Sequence, residues 1–130
     1  MSAMSDPSDV REPVYDNRAQ LEQVTQGLLD GEVVYAVYDA IGAGTGFIGI
    51  TDRRVILQDK SFVGKKVAIT SVPYGRITSV SVVSDRTWTG GFFSTSTIGI
   101  QTSHGTYEVA FRGNEKAHHA HNLILWHMVR

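Results

Sequence analysis

Two groups of side chains have the types and spacing to do chemistry. Arg53, Arg54, Lys60, Lys65 and Lys66 gather in one short stretch, opposed locally only by Asp52 and Asp59. Cations grouped in this way can meet phosphates, and near an anionic membrane each contributes about 1 kcal/mol, enough for weak, salt-sensitive attachment. The same residues on edge strands keep those edges soluble without any ligand. The second group is Arg86, Trp88, Phe92 and Phe93, in the run Arg86-Thr87-Trp88-Thr89-Gly90-Gly91-Phe92-Phe93. Large aromatics in a Gly- and Thr-rich connection have no evident place in a core. Exposed aromatics mark protein interfaces or membrane wedges; folding back as a lid over the end of the β-structure is the competing outcome.

Other patterns carry less. Gly42-Ala43-Gly44-Thr45-Gly46 has the glycines of a phosphate-cradling loop but no lysine, and a strand follows where such a loop needs a helix N-terminus. A hairpin turn is the reading. His118, His119 and His121 lack the i, i+4 histidine pair of a zinc site and no motif places a carboxylate with them, so they read as solvent-facing helix residues. His104 falls in a turn beside no nucleophile. With no Gly-x-Ser-x-Gly, no Walker loop and no paired carboxylates in an apolar setting, the sequence leads us to expect no catalytic, cofactor or metal residues and no enzymatic activity.

The elements that must position these groups fit one domain: 130 residues, 42% hydrophobic and 19% charged, allow a single core. Residues 1–14, rich in Ser, Asp, Pro and Glu, read as a flexible acidic tail, and 15–130 as the domain. Cysteine is absent, which excludes disulfides and thiolate sites. No apolar run is long enough to span a bilayer, so a cytoplasmic protein, peripheral to a membrane in the lipid-binding alternative, is the expectation. Charge is uneven: residues 1–40 hold Asp6, Asp9, Glu12, Asp16, Glu22, Asp30, Glu32 and Asp39 against Arg11 and Arg18, and the rest of the chain is basic. A basic body with such a lead-in can attract phosphates or acidic partners, or hold its own N-terminal helix by long-range attraction.

Periodicity predicts a short helix over Asp16–Leu29, with Leu21, Val24 and Leu28 on one side, Asp16 as N-cap and Gly31 as a left-handed stop. Seven strands follow: Val33–Ala40, Gly46–Thr51, Val55–Gln58, Lys65–Val72, Ile77–Ser84, Thr95–Thr102 and Thr106–Arg112. Broken alternation places a bulge near Ser79. A closing helix from Asn114 aligns Ala117, Ala120, Ile124 and Met128, with His127 packed near its end. Short hairpin connections require antiparallel pairing, hence a mainly β sandwich or partly open barrel capped by the last helix.

In the segments Leu28-Leu29-Asp30-Gly31-Glu32, Ile50-Thr51-Asp52-Arg53-Arg54-Val55-Ile56, Gly64-Lys65-Lys66 and Val72-Pro73-Tyr74 followed by Ile77, the chain resembles the bacterial pleckstrin-homology-like (PH-like) domain family. That resemblance implies a bent seven-stranded antiparallel β-domain with a C-terminal helix and a role in binding without catalysis. Protein partners or homo-oligomers are the expected associates, anionic lipid through the basic hairpin edge the alternative, and nucleic acid is disfavoured. The aromatic run after the fifth strand departs from the acidic, leucine-containing stretch common in the family.

Overall fold

The computed structural model describes residues 12–42, 44–59, 67–84 and 95–130. A two-residue strand, β1 (Val14–Tyr15), leads into helix α1 (Arg18–Gln26). Strands β2 (Val34–Asp39), β3 (Thr45–Thr51), β4 (Arg54–Asp59) and β5 (Ala68–Pro73) follow, then a single 3-10 turn at Tyr74–Arg76. Strands β6 (Ile77–Ser84), β7 (Thr95–Thr102) and β8 (Gly105–Arg112) precede helix α2 (Asn114–Met128).

The strands form two sheets, ordered β1-β2-β3-β4-β5 and β6-β7-β8. All pairings are antiparallel except that of β1 with β2. The seven antiparallel strands match the sequence expectation; the additional β1 pairs Val14 with Ala36 and Tyr15 with Val37. Val14 therefore belongs to the sheet although its surroundings in sequence read as tail. The sheets are joined at one corner, where Ile41 N–H donates to Ala110 O at 2.8 Å and Thr45 Oγ1 to Glu108 O at 3.2 Å. At the opposite corner β5 and β6 are end strands of different sheets, so the structure is not a closed barrel.

Strand alternation explains the apolar runs. On one face of the five-stranded sheet, Tyr35, Tyr38, Ile48, Ile50, Val55 and Leu57 join Ile98, Ile100, Val109 and Phe111 of the second sheet in the main core. Ala117, Ala120, Leu123 and Ile124 of α2 complete it, with Met128 packed alongside. The other face carries Val34, Val37, Phe47 and Ile56, which meet Val24 of α1 in a smaller cluster. A sheet buried on both faces needs apolar residues at successive positions. A bulge between Val34 and Ala36 lets the neighbours Tyr35 and Ala36 both enter the main core, and the bulge expected near Ser79 lies between Ile77 and Ser79.

Helix ends depart from expectation. The N-cap of α1 is Asn17, whose Oδ1 accepts from Ala19 N–H at 2.9 Å, while Asp16 bonds elsewhere. The helix stops at Gln26, before Gly31, which at φ 78° serves a turn closed by Glu32 N–H to Leu29 O at 3.0 Å. At α2 the cap position is Gly113, and Asn114, the first helical residue, accepts at its Oδ1 from the Ser84 hydroxyl, at 2.7 Å, and from that of buried Ser96.

Candidate interaction surface

Two of the segments that carried the family resemblance come together in space. The β3–β4 turn places Thr51 and Arg54 beside Glu32, which enters from the turn before β2. Arg54 Nε donates to Glu32 Oε2 and Arg54 NH2 to Oε1, each at 2.9 Å. The Thr51 hydroxyl donates to Oε2 at 2.7 Å, and Leu29 N–H to Oε1 at 2.9 Å. Burial alone would raise the Glu32 pKa, but the hydrogen bonds from Arg54, Leu29 N–H and Thr51, with the Arg54 charge, outweigh it and hold the group at about 2. Arg54 also donates from NH1 to Ser71 Oγ and from NH2 to Gly27 O, both at 2.8 Å. Its guanidinium thereby ties the end of α1, the turn before β2, and β4 to β5. Below the turn, Tyr74 OH donates to Thr51 O at 2.6 Å, and burial pushes the phenol pKa far upward, aided by Asp52, Tyr35 and Glu32.

This geometry divides the basic cluster. Arg54 is committed within the fold and Arg53 is exposed; Lys60, Lys65 and Lys66 lie outside the described residues. Arg86, Trp88, Phe92 and Phe93 lie outside them as well. The glycine loop joins β2 to β3, as a hairpin would. Among the histidines, His118 is exposed, His119 shares a 2.6 Å hydrogen bond between its Nδ1 and Tyr38 OH, and His121 Nδ1 meets Asn122 Oδ1 at 3.0 Å. Burial lowers the His119 pKa, favouring the neutral ring. His127 stacks on Tyr74 with ring centroids 4.8 Å apart and bonds Leu123 O through Nδ1 at 2.7 Å.

Three exposed apolar side chains lie on or beside the two end strands β5 and β6. Val67, just before β5, and Ile69 within it are 57% and 48% exposed, and Val83 on β6 is 62% exposed. Both are end strands, with one backbone edge each outside any ladder among the described residues. The sequence signal for this surface was present in the alternation of Val67 and Ile69, but alternation identifies a common face without saying whether that face is covered.

The Bacterial PH domain family matches residues 29–125, and the chain belongs to that family. Among solved structures it is similar to a pleckstrin homology domain from Shewanella amazonensis, with 23% identity and a TM-score of 0.65, over 88% of this chain and 100% of that one. It is also similar to a DUF1696 family protein with a pleckstrin-homology domain from Shewanella loihica, with 22% identity and a TM-score of 0.57, over 87% of this chain and 94% of the other. No curated protein matches. These comparisons bear out the PH-like fold, and a PH-like fold in general supports a binding module. Among the described residues, no helix is long and apolar enough to cross a membrane.

Proposed function

We propose that residues 15–130 act as one non-catalytic docking domain that binds protein, a partner or further copies of itself, along the open corner between β5 and β6. The observation that carries this reading is that β5 and β6 each have a backbone edge outside any ladder among the described residues, and that Val67, Ile69 and Val83, on or beside them, are exposed. Natural edge strands are commonly blunted by charge or proline; β5 reads Ala-Ile-Thr-Ser-Val-Pro, with no charged residue and its proline at the last position. An added strand would gain backbone hydrogen bonds and cover these side chains. The connection bearing Arg86, Trp88, Phe92 and Phe93 begins after β6, and the proposal includes those residues in the working surface.

The anionic-lipid alternative has less support, because Arg54 is engaged by Glu32, Ser71 and Gly27. Light scattering of the whole chain over a wide concentration range tests the self-assembly form. The expected result is a mass above the monomer that returns to monomer on Ile69→Lys or Val83→Lys, with the melting temperature preserved. An oligomer indifferent to both substitutions would place the contact elsewhere. A strict monomer would remove self-assembly and leave partner docking as the reading.

A further inference from the structure

Strand β1 closes the far edge of the five-stranded sheet, and it does so with little. Two residue pairs bridge it to β2, and Asp16 N–H adds a bond to Val37 O at 3.2 Å. Val14 and Tyr15 remain 47% and 44% exposed. Open hollows lie on both sides: one of about 460 Å³ toward α1, reached by Tyr15, Arg18 and Leu21, and one of about 360 Å³ lined by Asp16, Asp39, Ile41, Arg112 and Lys116. The main fastening is a single carboxylate. Asp16 Oδ1 pairs with Lys116 Nζ at 2.7 Å, and its Oδ2 accepts from Asp39 N–H at 3.0 Å. Helix α1 is secured separately, through Val24, which is 3% exposed. Both β1 and α1 precede the family-matched segment, residues 29–125.

We propose that the β2 edge, with Lys116 and Arg112 at its end, is a docking groove for an extended acidic segment of a protein partner, and that Val14–Asp16 is its built-in occupant. The occupant defines the ligand chemistry. The β2 backbone takes an extended chain in parallel, half-exposed apolar and aromatic side chains follow it, and a carboxylate ends at Lys116 Nζ and Asp39 N–H. Arg112 lines the same hollow and makes no ion pair among the described residues. An incoming carboxylate therefore meets a second cation, and charge-assisted hydrogen bonds are the strong ones. The acid of the hollow, Asp39, has its Oδ1 held by Gln20 Nε2 at 2.7 Å. A partner binds only while the strap is off, so its apparent affinity is lowered by the fraction of time the groove is free. This groove lies at the opposite end of the sheet from β5, and its fate is independent of the open-corner reading.

The probe is a fluorescein-labelled peptide copying residues 9–17, titrated against the full chain by fluorescence anisotropy, with circular dichroism confirming that each variant is folded. Weakening the strap by Asp16→Asn, or separately by Tyr15→Gly, tightens peptide binding by about tenfold or more over the unsubstituted chain. Adding Lys116→Gln to Asp16→Asn, or replacing the peptide's own aspartate at the Asp16 position by asparagine, reverses the gain by about tenfold. Equal binding to the strap variants and the unsubstituted chain, no binding to any of them, or indifference to Lys116→Gln would overturn the proposal. A concentration-dependent dimer of the Asp16→Asn chain without peptide would reassign the groove to strand exchange between copies and overturn the partner assignment.

Discussion

Arg54 holds Glu32 at two points, Nε on Oε2 and NH2 on Oε1, each at 2.9 Å, with the Glu32 side chain fully buried and that of Arg54 18% exposed. The pair lies where α1, the turn before β2 and the β3–β4 hairpin meet, so it fastens the early part of the chain to the sheet. Arg54→Ala leaves a buried carboxylate without its cation and is expected to cost about 3–5 kcal/mol in urea unfolding. Replacing both residues together, as Glu32→Leu with Arg54→Met, should cost less than the sum of the two single changes, because no charge is stranded. Additive losses would show that the two residues act separately.

Acid should weaken the fold through the same carboxylate. Glu32 titrates at about 2 in the folded chain against an ordinary 4.5, so its contribution is complete above about pH 4.5 and is lost as the pH falls toward 2. The shift corresponds to roughly 3 kcal/mol, and screening by nearby solvent reduces it to about 2 kcal/mol. Urea midpoints across that window should fall more steeply for the unsubstituted chain than for Glu32→Gln. Equal slopes would contradict the assignment.

At the alkaline end the sign reverses. Burial first, then the charges of Asp16 and Glu115, push the Tyr38 phenol up to about 12. The folded state thus holds that proton more tightly than the unfolded chain does, and stability present below pH 10 is lost as the pH rises toward 12. Absorbance titration should show delayed ionisation, and Tyr38→Phe should flatten the loss of stability above pH 10. The comparison should be made on melting-temperature differences, since the substitution also removes the hydrogen bond to His119.

Gly49 marks the contact between α1 and the sheet. A Cβ there would lie 3.1 Å from Val24 Cγ2 and 3.4 Å from Cγ1, with Ile56 Cβ at 3.6 Å. Gly49→Ala is therefore expected to cost about 1–2 kcal/mol as the helix is pushed outward. Combining it with Val24→Ala should cost less than the sum of the two, because the smaller side chain vacates the contested space. Strict additivity in a double-mutant cycle would argue that α1 does not rest on Gly49.

Strand positions were readable from the sequence because a buried sheet demands a local pattern, and Ile77–Ser84 and Thr95–Thr102 match the expected bounds residue for residue. What escaped were relationships between distant residues. Asp16 has the composition of an N-cap, but Lys116, a hundred positions away, and the Asp39 N–H draw its carboxylate off, leaving the cap to Asn17. Arg54 read as one of several surface cations because Glu32 is 22 positions earlier and no spacing rule links them. The two-residue β1 carries too short a pattern to announce parallel pairing.

Because β1 occupies one end of the five-stranded sheet, β5 is the end of that sheet left outside any ladder among the described residues. In the language of polymerisation that sheet offers one valence: on the open-corner proposal, two copies joined edge to edge through β5 would use it up, while the β6 edge of the other sheet stays outside any ladder among the described residues. Displacing Val14–Asp16 would free a second valence on the same sheet, the one that the acidic-segment proposal gives to a partner chain. On that proposal the strap acts as a protecting group, keeping the β2 valence out of reach until it is displaced.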